Sequence, residues 1–239
     1  MAVQRLDKIL ASTGRWSRRE VKLLVRQGRV LADGRPAASP EEKYDPAVTA
    51  LTVDGEDIGY RDVTWLMMNK PGGVLSATED GQGTTVLDLL SPELRRIGLF
   101  PVGRLDKDTE GLLLLTNDGD LAHYLLSPRH HVDKVYFVRV AGRLTAADQA
   151  AFREGMILGD GLHCMPAELE ILTAGENSEA HVTLREGKFH QVKRMLAALG
   201  KPVLYLKRVE MGKLPLDIKL APGDYRFLTE EELELLRQV

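Results

Sequence analysis

The chain has 239 residues, 44% hydrophobic and 28% charged. That is the balance of an ordinary globular protein with apolar material for one large core or two smaller ones. The longest run of Leu, Ile or Val, Leu112 to Leu115, is too short to cross a bilayer. The first residues carry no apolar signal segment, and Cys164, the single cysteine, can neither close an intrachain disulfide nor build a thiolate metal site alone, so a reducing cytoplasm is the expected setting. Net charge of −3 conceals an asymmetry: residues 1–35 hold nine cations against three acids, or +6, which leaves −9 for the remainder. A basic head on an acidic body points to a polyanionic partner for the head.

In chain order, Leu6, Ile9 and Leu10 share one face of a short first helix. Ser17-Arg18-Arg19-Glu20 is a capping box, so a second helix is expected over 18–27 with Gly28 as its stop. Val21, Leu24 and Val25 fall on its inner face, while Arg18, Lys22, Arg26 and Arg29 form one ridge. Such a ridge is either a solvated helix face or a track for a phosphate backbone, whose counterions it would release. The shortage of nearby acid, with Glu20 committed to the cap, favours nucleic acid. Val30-Leu31-Ala32-Asp33-Gly34-Arg35 reads as strand, Asp-Gly turn, strand, and Leu51-Thr52-Val53-Asp54-Gly55-Glu56 repeats it weakly. Polar Gly59-Tyr60-Arg61-Asp62 is the expected linker, dividing the chain into domains 1–60 and 61–239.

The second domain opens with a strand, Trp65-Leu66-Met67-Met68, stopped by Asn69-Lys70-Pro71-Gly72-Gly73; residues 74–78 are expected to return as a second strand. Residues 86–90 suggest a short helix before Pro92, and 99–102 lead into the most informative stretch, Gly103-Arg104-Leu105-Asp106-Lys107-Asp108-Thr109-Glu110-Gly111. Here an aspartate flanked by Arg104 and Lys107 abuts the buried strand 112–115. A carboxylate held rigid and ionised between cations is equipped for nucleophilic or electrostatic work at carbon. Further on, 120–126 reads as a helix, 134–140 as an alternating strand, 145–155 as a helix, 180–184 as a strand, 190–199 as a helix, 203–207 as a strand, and Thr229-Glu230-Glu231-Glu232 as the cap of a final helix. Strands and helices mix without regular βαβ alternation, which gives an α+β class with a largely antiparallel sheet.

Several chemistries lack support. There is no G-x-G-x-x-G and no P-loop. Adjacent His130 and His131 diverge and chelate poorly, even with Asp133 nearby. A glycosidase needs two carboxylates astride one bond; Asp106, Asp108 and Glu110 could supply them, or could equally be structural ion pairs. The residues alone leave an RNA-directed enzyme with one key carboxylate as one reading beside a loop of structural ion pairs.

Arg5-Leu6-Asp7-Lys8-Ile9-Leu10, Ser17-Arg18-Arg19-Glu20 and Gly28-Arg29-Val30 together resemble an S4 RNA-binding domain. Gly103-Arg104-Leu105-Asp106 with Asp108-Thr109-Glu110-Gly111-Leu112-Leu113 resembles the active-site motif of the pseudouridine synthases. Asn69-Lys70-Pro71-Gly72-Gly73, Lys134-Val135-Tyr136, and the segment Glu186-Gly187-Lys188-Phe189-His190-Gln191-Val192-Lys193-Arg194-Met195 are similar to further motifs of that superfamily. With the head, the whole chain resembles the small-ribosomal-subunit pseudouridine synthase A family. The resemblance implies conversion of a uridine to pseudouridine in small-subunit (16S) ribosomal RNA, within a partly assembled subunit, by a monomer that needs no cofactor and no metal and touches no membrane. It implies Asp106 as the catalytic aspartate, Lys193 as its basic partner (Arg194 if the register is off by one), Tyr136 against the target base, and Arg104 holding the extruded nucleotide. It also implies RNA contacts from Arg5, Lys8, Arg18, Arg19, Lys22, Arg26 and Arg29 of the head and from Lys70, Lys188 and Arg194 beyond it. Rival readings are a synthase acting on large-subunit (23S) RNA, a non-catalytic RNA-binding ribosome-assembly factor, and a hydrolase of RNA glycosidic bonds using Asp108 as its acid.

Overall fold

The computed structural model describes residues 3–238. They divide into two compact units: one runs to Thr64 and takes in Leu90–Leu99, and the other comprises Trp65–Leu89 and the chain from Phe100 onward.

In the first unit, helices Leu6–Ser12 and Arg18–Arg26 pack on a four-stranded antiparallel sheet ordered Arg35–Pro36, Val30–Ala32, Leu51–Val53, Glu56–Asp57. Both halves of the capping box form: Ser17 N donates to Glu20 Oε2 at 2.6 Å and Glu20 N to Ser17 Oγ at 3.3 Å. Each Asp-Gly pair turns with both residues at positive φ (Asp33 49°, Gly34 77°; Asp54 54°, Gly55 83°), the geometry that matches hairpin twist. Leu6, Ile9, Leu10, Val21, Val30 and Val53 fill the core between helices and sheet.

The helix Pro92–Arg96 belongs to this unit, although a division at residue 60 places it in the second. Arg96 Nη1 donates to Gly14 O at 3.5 Å. Gly14 has φ +74°, and a Cβ there would lie 1.9 Å from Glu93 O. The close approach of two backbones, which no local pattern encodes, is what brings the segment in.

The second unit is built on a nine-stranded mixed sheet. Its main path is Glu168–Thr173, Asn177–Leu184, Lys134–Ala141, Val203–Met211, Glu110–Thr116, Trp65–Lys70, Tyr225–Phe227. Every pairing along it is antiparallel except that of Val203–Met211 with Glu110–Thr116. At this parallel junction Gly111 pairs with Arg208. Gly111 has φ +103°, and a Cβ there would fall 2.1 Å from Arg208 O, so only glycine lets the strands meet. Leu112, Leu113, Leu114 and Leu115 are all fully buried, which is why this strand reads as a continuous apolar run rather than an alternation.

Two expectations are corrected. The first strand does not stop before Asn69 but continues through Lys70, pairing Asn69 with Leu112 and Lys70 with Gly111. Residues 74–78 form no strand; Leu75 makes only an isolated bridge to Thr85, and the segment bends back toward the 103–109 loop.

Candidate active site

The loop between strands Phe100–Pro101 and Glu110–Thr116 carries Asp106, and side chains remote in sequence fix its backbone. The Ser76 hydroxyl accepts from Leu105 N at 3.1 Å and donates to Leu105 O at 2.9 Å. Thr109 N donates to Asp106 O at 3.1 Å, and Gly73 N to Lys107 O at 2.7 Å. The Lys70 ammonium donates to Pro71 O (2.9 Å), Lys107 O (3.1 Å) and Thr109 O (2.8 Å).

Lys70 is thus fully buried, with its three N–H groups directed at three carbonyls. The expectation that it contacts RNA is overturned: its charge points into the protein and clamps the aspartate loop. Burial lowers its pKa to about 8, against the opposing pull of Asp108, Glu110 and Asp106.

The cations beside Asp106 in sequence are not the ones that meet it. Arg104 and Lys107 are exposed, and neither closes an ion pair with Asp106 among the described residues. Lys193, from the helix Gln191–Ala198, places Nζ 2.9 Å from Asp106 Oδ2 and 2.6 Å from Asp108 Oδ1. Burial opposes its charge, but hydrogen bonds to Asp108 and Asp106 outweigh that and raise the ammonium above the ordinary lysine value. His190 adds a second partner, Nε2 to Asp106 Oδ1 at 3.6 Å. Arg194 pairs instead with Asp160 at 2.5 Å, so the helix register selects Lys193. Sequence singles out neither Ser76 nor the left-handed backbone of His190 (φ 51°).

Asp106 and Tyr136 line one cleft with Arg104, Lys188 and His190. Tyr136 lies on Lys134–Ala141 with only 9% of its surface exposed, while the Asp106 side chain keeps 24%. One carboxylate is therefore open to a substrate and braced at Oδ2 by a lysine. The other nearby acids are engaged differently. The Lys193 hydrogen bond holds the Asp108 carboxyl below its usual range, which makes it a poor proton donor. Glu110 Oε2 accepts from Tyr205 Oη at 2.8 Å. No cluster of three or more His, Cys, Asp or Glu suited to a metal occurs among the described residues.

On the head, Lys8, Arg18, Arg19, Lys22 and Arg26 are exposed, and none closes an ion pair among the described residues. Arg29 is bound to Asp54 at 2.5 Å, and Arg5 to Asp7 at 3.0 Å and Glu41 at 3.4 Å. Lys188 is bound to Glu186 at 2.9 Å and to the His163 carbonyl.

Residues 64–198 match the RNA pseudouridylate synthase family, and residues 4–47 match the S4 domain. An uncharacterized RNA pseudouridine synthase of Bacillus subtilis is 52% identical over 235 residues, covering 98% of each chain. The ribosomal small subunit pseudouridine synthase A of Vibrio cholerae is 40% identical over 230 residues, covering 96% of this chain and 97% of that one. A crystal structure of a pseudouridylate synthase superposes with a TM-score of 0.69 at 35% identity, covering 98% of this chain and 99% of the other. No helix among the described residues is long and apolar enough to cross a membrane. With its S4 head, and a cleft in which a lysine braces one open aspartate, the chain belongs to the RNA pseudouridine synthases, in the ribosomal small subunit pseudouridine synthase A type.

Proposed function

We propose that the protein isomerises one uridine of small-subunit (16S) ribosomal RNA, as a monomer acting on a partly assembled subunit. The N1–C1′ bond of the target breaks, the uracil turns, C5 bonds to C1′, and the C5 proton is given up as N1 gains one. A base inside a helix cannot turn at its sugar, so the nucleotide is first extruded, at a cost of a few kcal/mol. Lys8, Arg18, Arg19, Lys22 and Arg26, solvated and free of ion pairs among the described residues, supply phosphate contacts that offset that cost. Arg5, Arg29, Lys188 and Arg194 join them by exchanging their present carboxylate partners for phosphates.

In the cleft, Asp106 acts on the ribose, either attacking C1′ or taking the proton of the neighbouring sugar carbon. Lys193 keeps it aligned through the 2.9 Å contact to Oδ2. Tyr136 packs on the uracil and assists loss of the C5 proton, and Arg104 holds the extruded nucleotide.

The observation that carries this reading is the Asp106–Lys193 pair at 2.9 Å, at the edge of a cleft shared with Tyr136. The small-subunit assignment draws on the Vibrio cholerae relative. Mapping pseudouridine in both ribosomal RNAs from cells with and without the gene tests it. Loss of one small-subunit site supports the reading; loss of a large-subunit site, or no loss, overturns it.

A further inference from the structure

One exposed aromatic side chain lies between two residues of the Asp106 cleft, Lys188 and His190. Phe189 is 74% exposed, and its ring stacks on His190 with 3.8 Å between centroids and 18° between planes. His190 in turn lies 3.6 Å from Asp106. A lone exposed apolar residue calls for no explanation, but the loop that carries this one is braced. Lys188 N donates to Gln191 Oε1 at 3.0 Å, and Gln191 Nε2 to Glu186 Oε1 at 2.6 Å, which also accepts from Met165 N at 2.9 Å. His190 sits in the left-handed region at φ 51°, uncommon for a side chain other than glycine. The aromatic face is therefore presented on a fixed support, between Lys188 and His190, which line the Asp106 cleft with Arg104.

We propose that Phe189 is a stacking platform for one unpaired RNA base adjacent to the target uridine. The proposal rests on the RNA-isomerase reading above. An exposed aromatic ring beside cations is the arrangement that holds unstacked bases of single-stranded RNA. The target uracil is not the occupant: its ribose has to reach Asp106, and the His190 imidazole lies between Phe189 and that carboxylate. The base on Phe189 belongs to the neighbouring nucleotide and extends the Phe189–His190 stack by one layer. Such a contact accepts any base, since every base has a π-face.

The test uses the full chain and small-subunit RNA tritiated at uridine C5, both as a naked transcript and in partly assembled particles, with tritium release as the readout. F189A raises KM roughly tenfold and lowers kcat by less, while F189Y and F189W stay close to wild type. The emission that F189W adds over the wild type, which carries Trp16 and Trp65, falls when the transcript is added, a readout that also serves if F189A does not fold. Unchanged KM in F189A, equal losses in F189A and F189Y, or no change in F189W emission each overturn the platform. An F189A defect seen on partly assembled particles but not on the naked transcript assigns Phe189 to a protein contact and likewise overturns it. Tritium release by the wild type tests the underlying enzyme reading by itself, because F189W emission reports binding with or without turnover.

Discussion

Replacing Lys70 by methionine keeps the apolar stem and deletes the ammonium that joins Pro71, Lys107 and Thr109. Pro71 O and Thr109 O are left without that donor at about 1 kcal/mol each, or ~2 kcal/mol, while Lys107 O keeps its bond from Gly73 N. The variant also removes a buried charge. The fall of the Lys70 pKa from 10.5 to about 8 means that burial disfavours the charged form by about 3 kcal/mol. The two effects nearly cancel at neutral pH, so K70M folds with a midpoint within several degrees of wild type. Catalysis does not cancel. The clamp fixes Lys107, next to Asp106, and Thr109, two residues further on, and a misplacement near 1 Å costs roughly a hundredfold in rate.

The pH dependence carries a sign that separates the two roles. Between about 8 and 10.5 the unfolded chain holds a proton at Lys70 that the folded chain has lost. This group's contribution to global stability therefore rises with pH across that window. Over the same window the neutral amine has two N–H groups for three carbonyls, so the clamp weakens. Wild-type kcat should then decline above about pH 8 while stability from Lys70 does not, and K70M should lack that part of the decline. Single-turnover tritium release from C5-labelled RNA, alongside thermal unfolding, measures both. A K70M rate within about threefold of wild type would refute the reasoning, because the loop would then hold its geometry without the clamp.

Lys193→Met should leave the fold intact and lower the rate by roughly a hundredfold, with Lys193→Arg recovering most of it; equal rates in all three would remove Lys193 from the site. In the same variant the Asp108 carboxyl, held low by Lys193, should titrate at higher pH than in wild type, as followed by NMR. Charge reversal at Arg18, Lys22 and Arg26 should weaken RNA binding and flatten the plot of log affinity against log salt by about 0.7 to 0.9 per lost phosphate contact, and an unchanged slope would make the ridge a solvated face.

Local chemistry was legible in the sequence. Ser17 and Glu20 lie three residues apart and cap each other, and both Asp-Gly turns follow from backbone preferences that neighbouring residues express directly. The central apolar strand announced its burial, and the resemblance of the last motif to its family, not its spacing, pointed to Lys193 for Asp106, with Arg194 as the alternative. What escaped depends on tertiary proximity. Lys70 sits beside a Pro-Gly turn and looks like a solvated cation, yet its partners Lys107 and Thr109 lie 37 and 39 residues away. Ser76 reads as loop polarity until Leu105, 29 residues on, presents both its N–H and its carbonyl to one hydroxyl. Arg104 and Lys107 flank Asp106 in the chain but are exposed, so sequence adjacency named the wrong cations for that carboxylate.

Asp106→Asn bears most directly on the central claim, because the amide nearly preserves shape while removing the charge. With C5-tritiated ribosomal RNA, turnover should fall by about 10⁴-fold or more while RNA affinity stays within about twofold of wild type. Tritium release by D106N at a rate close to wild type, in enzyme free of native contaminant, would contradict the assignment of isomerisation to this carboxylate.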